Sequence, residues 1–298
     1  MPGEGLTQES STRRSVSAGD RLVAAQLSVR TGAGHTRKET SVNITRIAQP
    51  GRLGQPWVRE IVPGVFRVGT TFLGFYAIED AGAYTFIDVG LPGYWPQITR
   101  FLAARNAPLS SVKAVVLTHY HPDHMGNAER LRAQAGAAVL VHHDDRAAAM
   151  RKSRPALYPL WKPPVLHLVG HFLRNGVART VPVAETSGFA DEEVLDVPGR
   201  PRVIHTPGHT AGNAALSLAD REVLIVGDTL ATLSLSPGES GPQLLPRFLN
   251  EDHDRALASL EKIEPVKARW VLPGHGLPWE GSPQQAVKLA RQIAARTS

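Results

Sequence analysis

One stretch decides the fold of this chain: Thr118-His119-Tyr120-His121-Pro122-Asp123-His124-Met125-Gly126, which directly follows an apolar run at 114–117. Imidazole and carboxylate groups are donors that proteins use to bind zinc, iron or manganese. Four such donors within six positions have no packing advantage, and they would be costly to bury without a partner. The stretch therefore predicts a metal site at the end of a β-strand.

The geometry of an extended chain divides these donors. Side chains alternate along a strand, so His119 and His121 project to the same side and can share one ion. The proline that follows disfavours helix at His121, and Asp123 and His124 then leave in another direction. Tyr120 points away from the two histidines, which indicates a structural role. One short loop could therefore serve two metals.

Length and composition are ordinary for a soluble globular protein. The 298 residues are 42% hydrophobic and 20% charged, and no apolar stretch approaches the ~20 residues that cross a bilayer. We expect no integral membrane segment. Cysteine is absent, which excludes disulfides and thiolate nucleophiles. The sequence predicts a mobile basic leader at 1–54 and one domain at 55–298.

The net charge of +6 does not indicate a nucleic-acid partner. Residues 1–52 hold eight basic and four acidic residues, which leaves 25 basic and 23 acidic residues in the rest of the chain. The basic excess thus lies mostly in the leader. Arg13 and Arg14 could begin an export signal, but Asp20 and Arg21 interrupt the apolar region that such a signal needs. We therefore expect a cytoplasmic protein.

Hydrophobic patterns predict an α+β fold with two sheets and helices on their outer faces. Predicted strands lie at 58–61, 65–68, 72–78, 84–89, 112–118, 138–142, 203–206, 214–218, 223–226 and 269–272. Predicted helices lie at 22–29, around 98–102, and at 127–134, 253–263 and 283–295, with Asp144 as the cap of a further helix.

Residues 153–183 form an apolar, proline-rich insert. Such an insert predicts a lid that walls a substrate pocket. The alternatives are simple packing of a helix on the core and a contact between two copies of the chain. Basic residues on its flanks suit a partly acidic ligand.

Three later segments each end a predicted strand with a donor residue beside glycine. They are Thr206-Pro207-Gly208-His209-Thr210, Gly227-Asp228-Thr229 and Pro273-Gly274-His275-Gly276. Glycine lets the backbone turn sharply and approach an ion closely. Taken with the first motif, this order of donors resembles the metallo-β-lactamase fold superfamily over roughly residues 57–280.

The resemblance implies a four-layer αβ/βα sandwich and two divalent metal ions, zinc first, with iron and manganese as alternatives. By position, the first metal would be held by His119, His121 and His209, the second by Asp123, His124 and His275, and both by Asp228. Asp88, near the end of the predicted strand at 84–89, would support the site from behind by hydrogen bonding.

The resemblance also implies a hydrolase of small molecules. A metal-bridging hydroxide, formed because bound metal lowers the pKa of water to around 7, would attack a thioester, ester or lactone. Asp123 would also assist proton transfer to the leaving group. Glyoxalase II and the N-acyl homoserine lactonases share the ligand set, and the insert would suit an acyl chain.

Two other functions stay open. One is a mononuclear iron enzyme like the persulfide dioxygenases, and the other is a scaffold that only binds. Dimerisation is compatible with the sequence. No metal role is predicted for the remaining histidines of the domain, which are His142, His143, His167, His171, His205 and His253.

Overall fold

The computed structural model describes residues 54–151, 163–233 and 241–297. Most of the predicted leader, the predicted helix at 22–29 and the first part of the predicted lid lie outside these residues. Within them, the chain forms a seven-stranded sheet, a five-stranded sheet and seven α-helices.

The first sheet contains, in spatial order, β1 (Trp57–Val62), β2 (Val65–Gly69), β3 (Gly74–Asp80), β4 (Ala83–Ile87), β5 (Val112–Val116), β6 (Ala138–His142) and β7 (Ser187–Phe189). Strands β1 to β4 form the predicted antiparallel meander, and β4 to β7 run parallel.

The second sheet contains β8 (Arg202–His205), β9 (Ala214–Leu218), β10 (Val223–Gly227), β11 (Trp270–Pro273) and β12 (Trp279–Glu280). Only β10 and β11 pair in parallel. The carboxyl ends of these two strands therefore meet at one edge of the sheet.

The helices are α1 (Trp95–Ala103), α2 (Pro122–Met125), α3 (Ala128–Ala135), α4 (His143–Ala149), α5 (Pro163–Arg174), α6 (His253–Ile263) and α7 (Pro283–Thr297). Helix α6 begins where the side chain of Asp252 accepts a hydrogen bond from the main-chain N–H of Arg255. Among the described residues, no helix is long and apolar enough to cross a lipid bilayer.

Three buried clusters define the layers. One lies between the sheets, where Ile78 and Val116 of the first sheet share a cluster with Leu216 and Leu272 of the second. Another packs α1, α3 and α5 on the first sheet. The third packs α6 and α7 on the second sheet. The predicted α+β fold, a four-layer αβ/βα sandwich, is confirmed.

Several local predictions were wrong. Asp144 does not cap α4: it lies in the first turn, and the side chain of His142 accepts the hydrogen bond of the capping position. The strand predicted at 112–118 ends at Val116, and a short helix rather than a loop carries Asp123. Strands β7 and β12, of three and two residues, were missed because so short a run shows no alternation.

The cluster between the sheets should contribute much more to stability than the exposed face of α5. Leu216 is fully buried there, whereas Leu173 on α5 is 61% exposed. We expect Leu216→Ala to lower the free energy of unfolding by about 2–5 kcal/mol. We expect Leu173→Ala to change it by less than about 0.5 kcal/mol. Chemical denaturation of both variants measures the difference, and equal losses would contradict this layer order.

Candidate metal centre

The seven predicted ligands come from four strand ends. His119 and His121 follow β5, and α2 then carries Asp123 and His124. The other three, His209, Asp228 and His275, follow β8, β10 and β11. The structure brings all seven to one edge of the sandwich, where strands of both sheets end. Six of them are at least nine-tenths buried, and His121 is partly exposed.

One part of the site contains three imidazoles. Donor atoms of His119, His121 and His209 all lie within 4.8 Å of one another. His209 Nε2 is 2.9 Å from His121 Nδ1 and 3.3 Å from Asp228 Oδ2. This group has the residues predicted for the first metal.

The other part contains a carboxylate and two imidazoles. Donor atoms of Asp123, His124 and His275 also lie within 4.8 Å of one another. His275 Nε2 is 3.3 Å from Asp123 Oδ2 and 3.2 Å from Asp228 Oδ2. Asp228 Oδ1 is 3.5 Å from His124 Nε2. Asp228 thus touches both groups, which is the arrangement that a shared ligand requires.

Unpaired atoms test whether this set fits a metal. His119 Nε2, His124 Nε2 and Asp228 Oδ1 are buried and have no hydrogen-bond partner among the described residues. Leaving a buried polar atom unpaired costs about 1–3 kcal/mol. Three such atoms facing one another fit ions that they would coordinate.

Hydrogen bonds from the opposite nitrogen orient four of the imidazoles. Thr118 Oγ1 donates to Asp88 Oδ2 and therefore accepts from Nδ1 of His119 at 3.0 Å. His209 Nδ1 donates to Asn250 Oδ1, and His275 Nδ1 donates to the main-chain oxygen of Phe72. Because Nδ1 is held by these partners, Nε2 is the nitrogen of each ring that faces the site.

Asp88 is the centre of this support. Oδ2 accepts from His124 Nδ1 at 2.9 Å and from Thr118 Oγ1 at 2.8 Å, while Oδ1 accepts from the main-chain N–H of Thr118 at 2.8 Å. The backbone of Asp88 has a φ of +57°, a conformation that aspartate tolerates better than most residues. Thr118, Asn250 and the Phe72 carbonyl carry no sequence signal and were missed, because only the fold places them behind the donors.

Glycine permits the close approach that the sequence suggested. A Cβ atom at Gly274 would lie 2.6 Å from His124 Cε1 and 2.7 Å from Asp228 Oδ1. Any larger residue there would displace two of the candidate ligands. The backbone at Gly208 and Gly227 has φ values of +134° and +50°, which gives the turns that carry His209 and Asp228.

Burial and charge set the protonation of the donors. Burial lowers the pKa of His121 to about 3 and that of His119 well below its usual value, so both rings are neutral. Burial opposes the charge of His124, but the carboxylates, Asp228 first, raise its pKa to about 9. Burial would raise the pKa of Asp123, but the neighbouring imidazoles outweigh it and hold that pKa at about 2. A metal that binds His124 must therefore displace a proton.

Asp145, which the sequence did not single out, links the two segments that carry the first group: the first motif and the loop of His209. Its carboxylate accepts from Thr210 Oγ1 at 2.6 Å, from the main-chain N–H of Gly212 at 2.7 Å and from that of Tyr120 at 3.2 Å. Burial raises the pKa of Asp145 to about 6, although these hydrogen bonds oppose the shift. The carboxylate thereby fixes the loop of His209 against the first motif.

A cavity of about 770 Å³ opens onto the centre. Its wall is mainly apolar: Ala147, Ala148, Leu168, Val169, Phe172, Leu173, Val177, Leu233, Leu245, Phe248 and Leu249. Among its described charged residues outside the candidate ligands are Asp144, Arg151 and Glu251. Tyr120 also lines it and donates to Glu251 Oε1 at 2.7 Å, so the residue predicted to be structural faces the cavity.

Helix α5, the described part of the predicted lid, has two roles. Leu168 and Phe172 belong to the buried cluster on the first sheet, which is the packing alternative. Both also line the cavity, and the Phe172 ring stacks on His275 with centroids 6.2 Å apart. Nε2 of His171 lies 2.7 Å from Tyr94 Oη, which fixes the helix to the core. The described part of the insert therefore walls the cavity while packed on the domain.

A second group of donors lies outside the seven. Donor atoms of His142, Asp144 and His205 lie within 4.8 Å of one another. His142 Nδ1 accepts from the main-chain N–H of Asp144, and His205 Nε2 donates to the carbonyl of Ala211. The two rings stack in parallel at 3.8 Å, so their lone pairs do not converge.

The chain is similar in sequence to a known family and to several known proteins. The family model of the metallo-beta-lactamase superfamily matches residues 75–275. The probable metallo-hydrolase YflN of Bacillus subtilis is 25% identical over 244 residues, which cover 74% of this chain and 87% of that protein. The atrochrysone carboxyl ACP thioesterase of Aspergillus fumigatus is 26% identical over 192 residues, which cover 64% of this chain and 46% of that protein.

A solved structure shows the same fold. A metallo-beta-lactamase family protein from Thermus thermophilus superposes with a TM-score of 0.60 at 25% identity, over 80% of this chain and 81% of that one.

The hydrogen bonds of Asp88 generate a test. We expect Asp88→Asn to weaken metal binding by about 10–100-fold, because the change removes the charge that orients His124. Isothermal titration of the metal-free protein with Zn²⁺ measures this effect. The matched control is Asp196→Asn, the same change on an exposed side chain, which should bind as the wild type does. Unchanged affinity in Asp88→Asn would contradict the supporting role.

Proposed function

The chain belongs to the metallo-beta-lactamase superfamily, and we propose that within it the protein is a dinuclear metal-dependent hydrolase of small-molecule thioesters, esters or lactones. One observation carries the proposal. Two groups of three donors share Asp228, and three atoms of this set are buried without partners among the described residues. We propose zinc as the metal, since imidazole and carboxylate ligands suit it. We also propose residues 55–298 as the catalytic domain, since β1 begins at Trp57.

The seven residues would hold the two ions in two sets. His119, His121 and His209 would bind the first, while Asp123, His124 and His275 would bind the second, with Asp228 bound to both. When bound, such ions supply a hydroxide nucleophile near neutral pH and stabilise negative charge on the attacked carbonyl oxygen.

Other contributions come from the chain itself. Asp123 lines the cavity, so its carboxylate is placed to accept a proton and pass it to the leaving atom. The Nδ1 partners of His119, His209 and His275 keep their rings in one tautomer throughout the reaction. The apolar wall excludes water from the far side of the substrate.

The cavity supports an apolar acyl group as part of the substrate. Helix α5 and residues 245–249 form its two apolar sides, and Phe248 is half exposed there. The Aspergillus fumigatus relative is named as a thioesterase for an acyl carrier protein substrate, which supports a thioester. A lactone with an acyl side chain would use the same wall.

Removal of a shared or first-group ligand tests the mechanism. We expect His121→Ala and Asp228→Asn each to lower kcat/KM for a thioester by more than about 100-fold. That loss exceeds the one expected for a residue that only hydrogen-bonds to a metal ligand. Asp220→Asn makes the same change on a side chain that is 73% exposed and should leave kcat/KM unchanged.

Metal content measured on the same samples completes this test. We expect two zinc ions per wild-type chain and fewer in Asp228→Asn. A variant that kept full activity with its metal removed would overturn the mechanism. One iron per chain, with oxygen consumed in the presence of glutathione persulfide, would instead establish the dioxygenase alternative.

Acyl chain length tests the substrate class. Burial of each CH₂ contributes about 0.8 kcal/mol, so we expect kcat/KM to rise about fourfold per CH₂ across straight-chain thioesters until the cavity is filled. Phe248→Ser should flatten this rise and leave the acetyl thioester unaffected. Val58→Ser, at a similarly exposed position on β1, is the control. A flat profile in the wild type would contradict an acyl site.

A further inference from the structure

Arg67 is a fully buried arginine beside the metal centre. It lies on β2 opposite Tyr76 of β3, and its solvent exposure is 0%. Among the described residues, no carboxylate lies within ion-pair distance of its guanidinium. Burial of a charge costs several kcal/mol, and apolar residues of similar volume often replace such groups without loss of stability. The position of this arginine therefore requires a reason other than packing.

The surrounding residues form a slot for the guanidinium. A Cβ atom at Gly74 would lie 2.7 Å from Nε and 2.8 Å from Cζ, so only glycine leaves room for the group. The ring of Trp57 lies 4.8 Å from Cζ. Arg67 Nε and Nη1 have no hydrogen-bond partner among the described residues. Of the three guanidinium nitrogens, Nη2 is therefore the one that makes hydrogen bonds within the slot.

Nη2 reaches the loop that carries His275. It donates to the main-chain oxygen of Gly276 at 2.7 Å and to that of Thr70 at 2.5 Å. Gly276 directly follows His275, and its backbone has a φ of +95°. A charged donor makes a stronger hydrogen bond than a neutral one, so the contact fixes the carbonyl firmly.

This bond completes a series along the loop. Tyr76 Oη donates to the carbonyl of Pro273 at 2.7 Å, and the N–H of Gly74 donates to the carbonyl of Gly274 at 2.8 Å. Nδ1 of His275 donates to the carbonyl of Phe72 at 3.0 Å. Residues 67–76 thus contact each of the four residues 273–276 in turn. Arg67 supplies the last contact of this series, through a charged donor.

We propose that Arg67 is a positioning residue for His275. By holding the Gly276 carbonyl, it keeps His275 Nε2 beside Asp123 and Asp228, at the 3.3 and 3.2 Å observed. The identity of what His275 binds rests on the proposed function, but the positioning does not. Arg67→Met removes the contact to Gly276, but it also removes a buried charge, so the variant can lose ligand geometry without losing stability.

Metal titration of the full chain tests the positioning. We expect Arg67→Met to bind one Co²⁺ with wild-type affinity and the second at least about tenfold more weakly, with changed visible absorption of that second ion. Arg67→Lys should show the same loss, because its ammonium is a compact, strongly hydrated charge on a flexible chain and does not reproduce the rigid, planar guanidinium that fits the slot. Arg105→Met is the control, since the guanidinium of Arg105 stacks on Phe66 of β2 and Phe101 of α1, which are contacts other than those of Arg67.

Histidine NMR of the metal-free protein gives a reading that needs no metal. The His275 resonance, identified by its loss in His275→Gln, should shift or broaden in Arg67→Met and stay unchanged in Arg105→Met. An unchanged resonance, or wild-type affinity for both ions in Arg67→Met, would overturn the inference. A wild-type chain that binds fewer than two ions would instead contradict the dinuclear function, and the NMR result would still decide the role of Arg67.

Discussion

The Asp228 carboxylate lies within 3.5 Å of three imidazole nitrogens that reach it from three different parts of the chain. His124 comes from α2, His209 follows β8, and His275 follows β11. Concentrating these groups in a buried place is costly without a ligand, and only the surrounding bonds hold them there. The strand ends of the two sheets and the turns with positive φ together place these imidazoles around Asp228.

The support behind the donors is of two kinds. Asp88 and Thr118 hold His119 and His124, one ligand of each group, through side chains. His275 depends on main-chain contacts from the segment after β2, where Phe72 lies 203 residues earlier in the sequence. The position of His275 therefore depends on the packing between the two sheets, and a distant residue such as Arg67 can act on it.

Hydrophobic patterns predicted two sheets with helices on their outer faces, and the resemblance to the metallo-β-lactamase fold superfamily implied the four-layer sandwich and the meeting of the seven donors. Donor spacing in the first motif, and glycine beside His209, Asp228 and His275, can be read without contacts. The cap of α4 could not be predicted, because it is His142 rather than Asp144, and this depends on a side-chain orientation that the sequence does not show. Asn250, Asp145 and Arg67 were missed for another reason: their roles exist only after distant segments pack together.

In the proposed enzyme, one edge of the sandwich holds two ions that share Asp228. Anomalous diffraction from a crystal of the protein grown with Zn²⁺, recorded on both sides of the zinc absorption edge, locates these ions. We expect two peaks, one among His119, His121 and His209 and one among Asp123, His124 and His275, both in contact with Asp228. A single peak, or peaks away from Asp228, would contradict it.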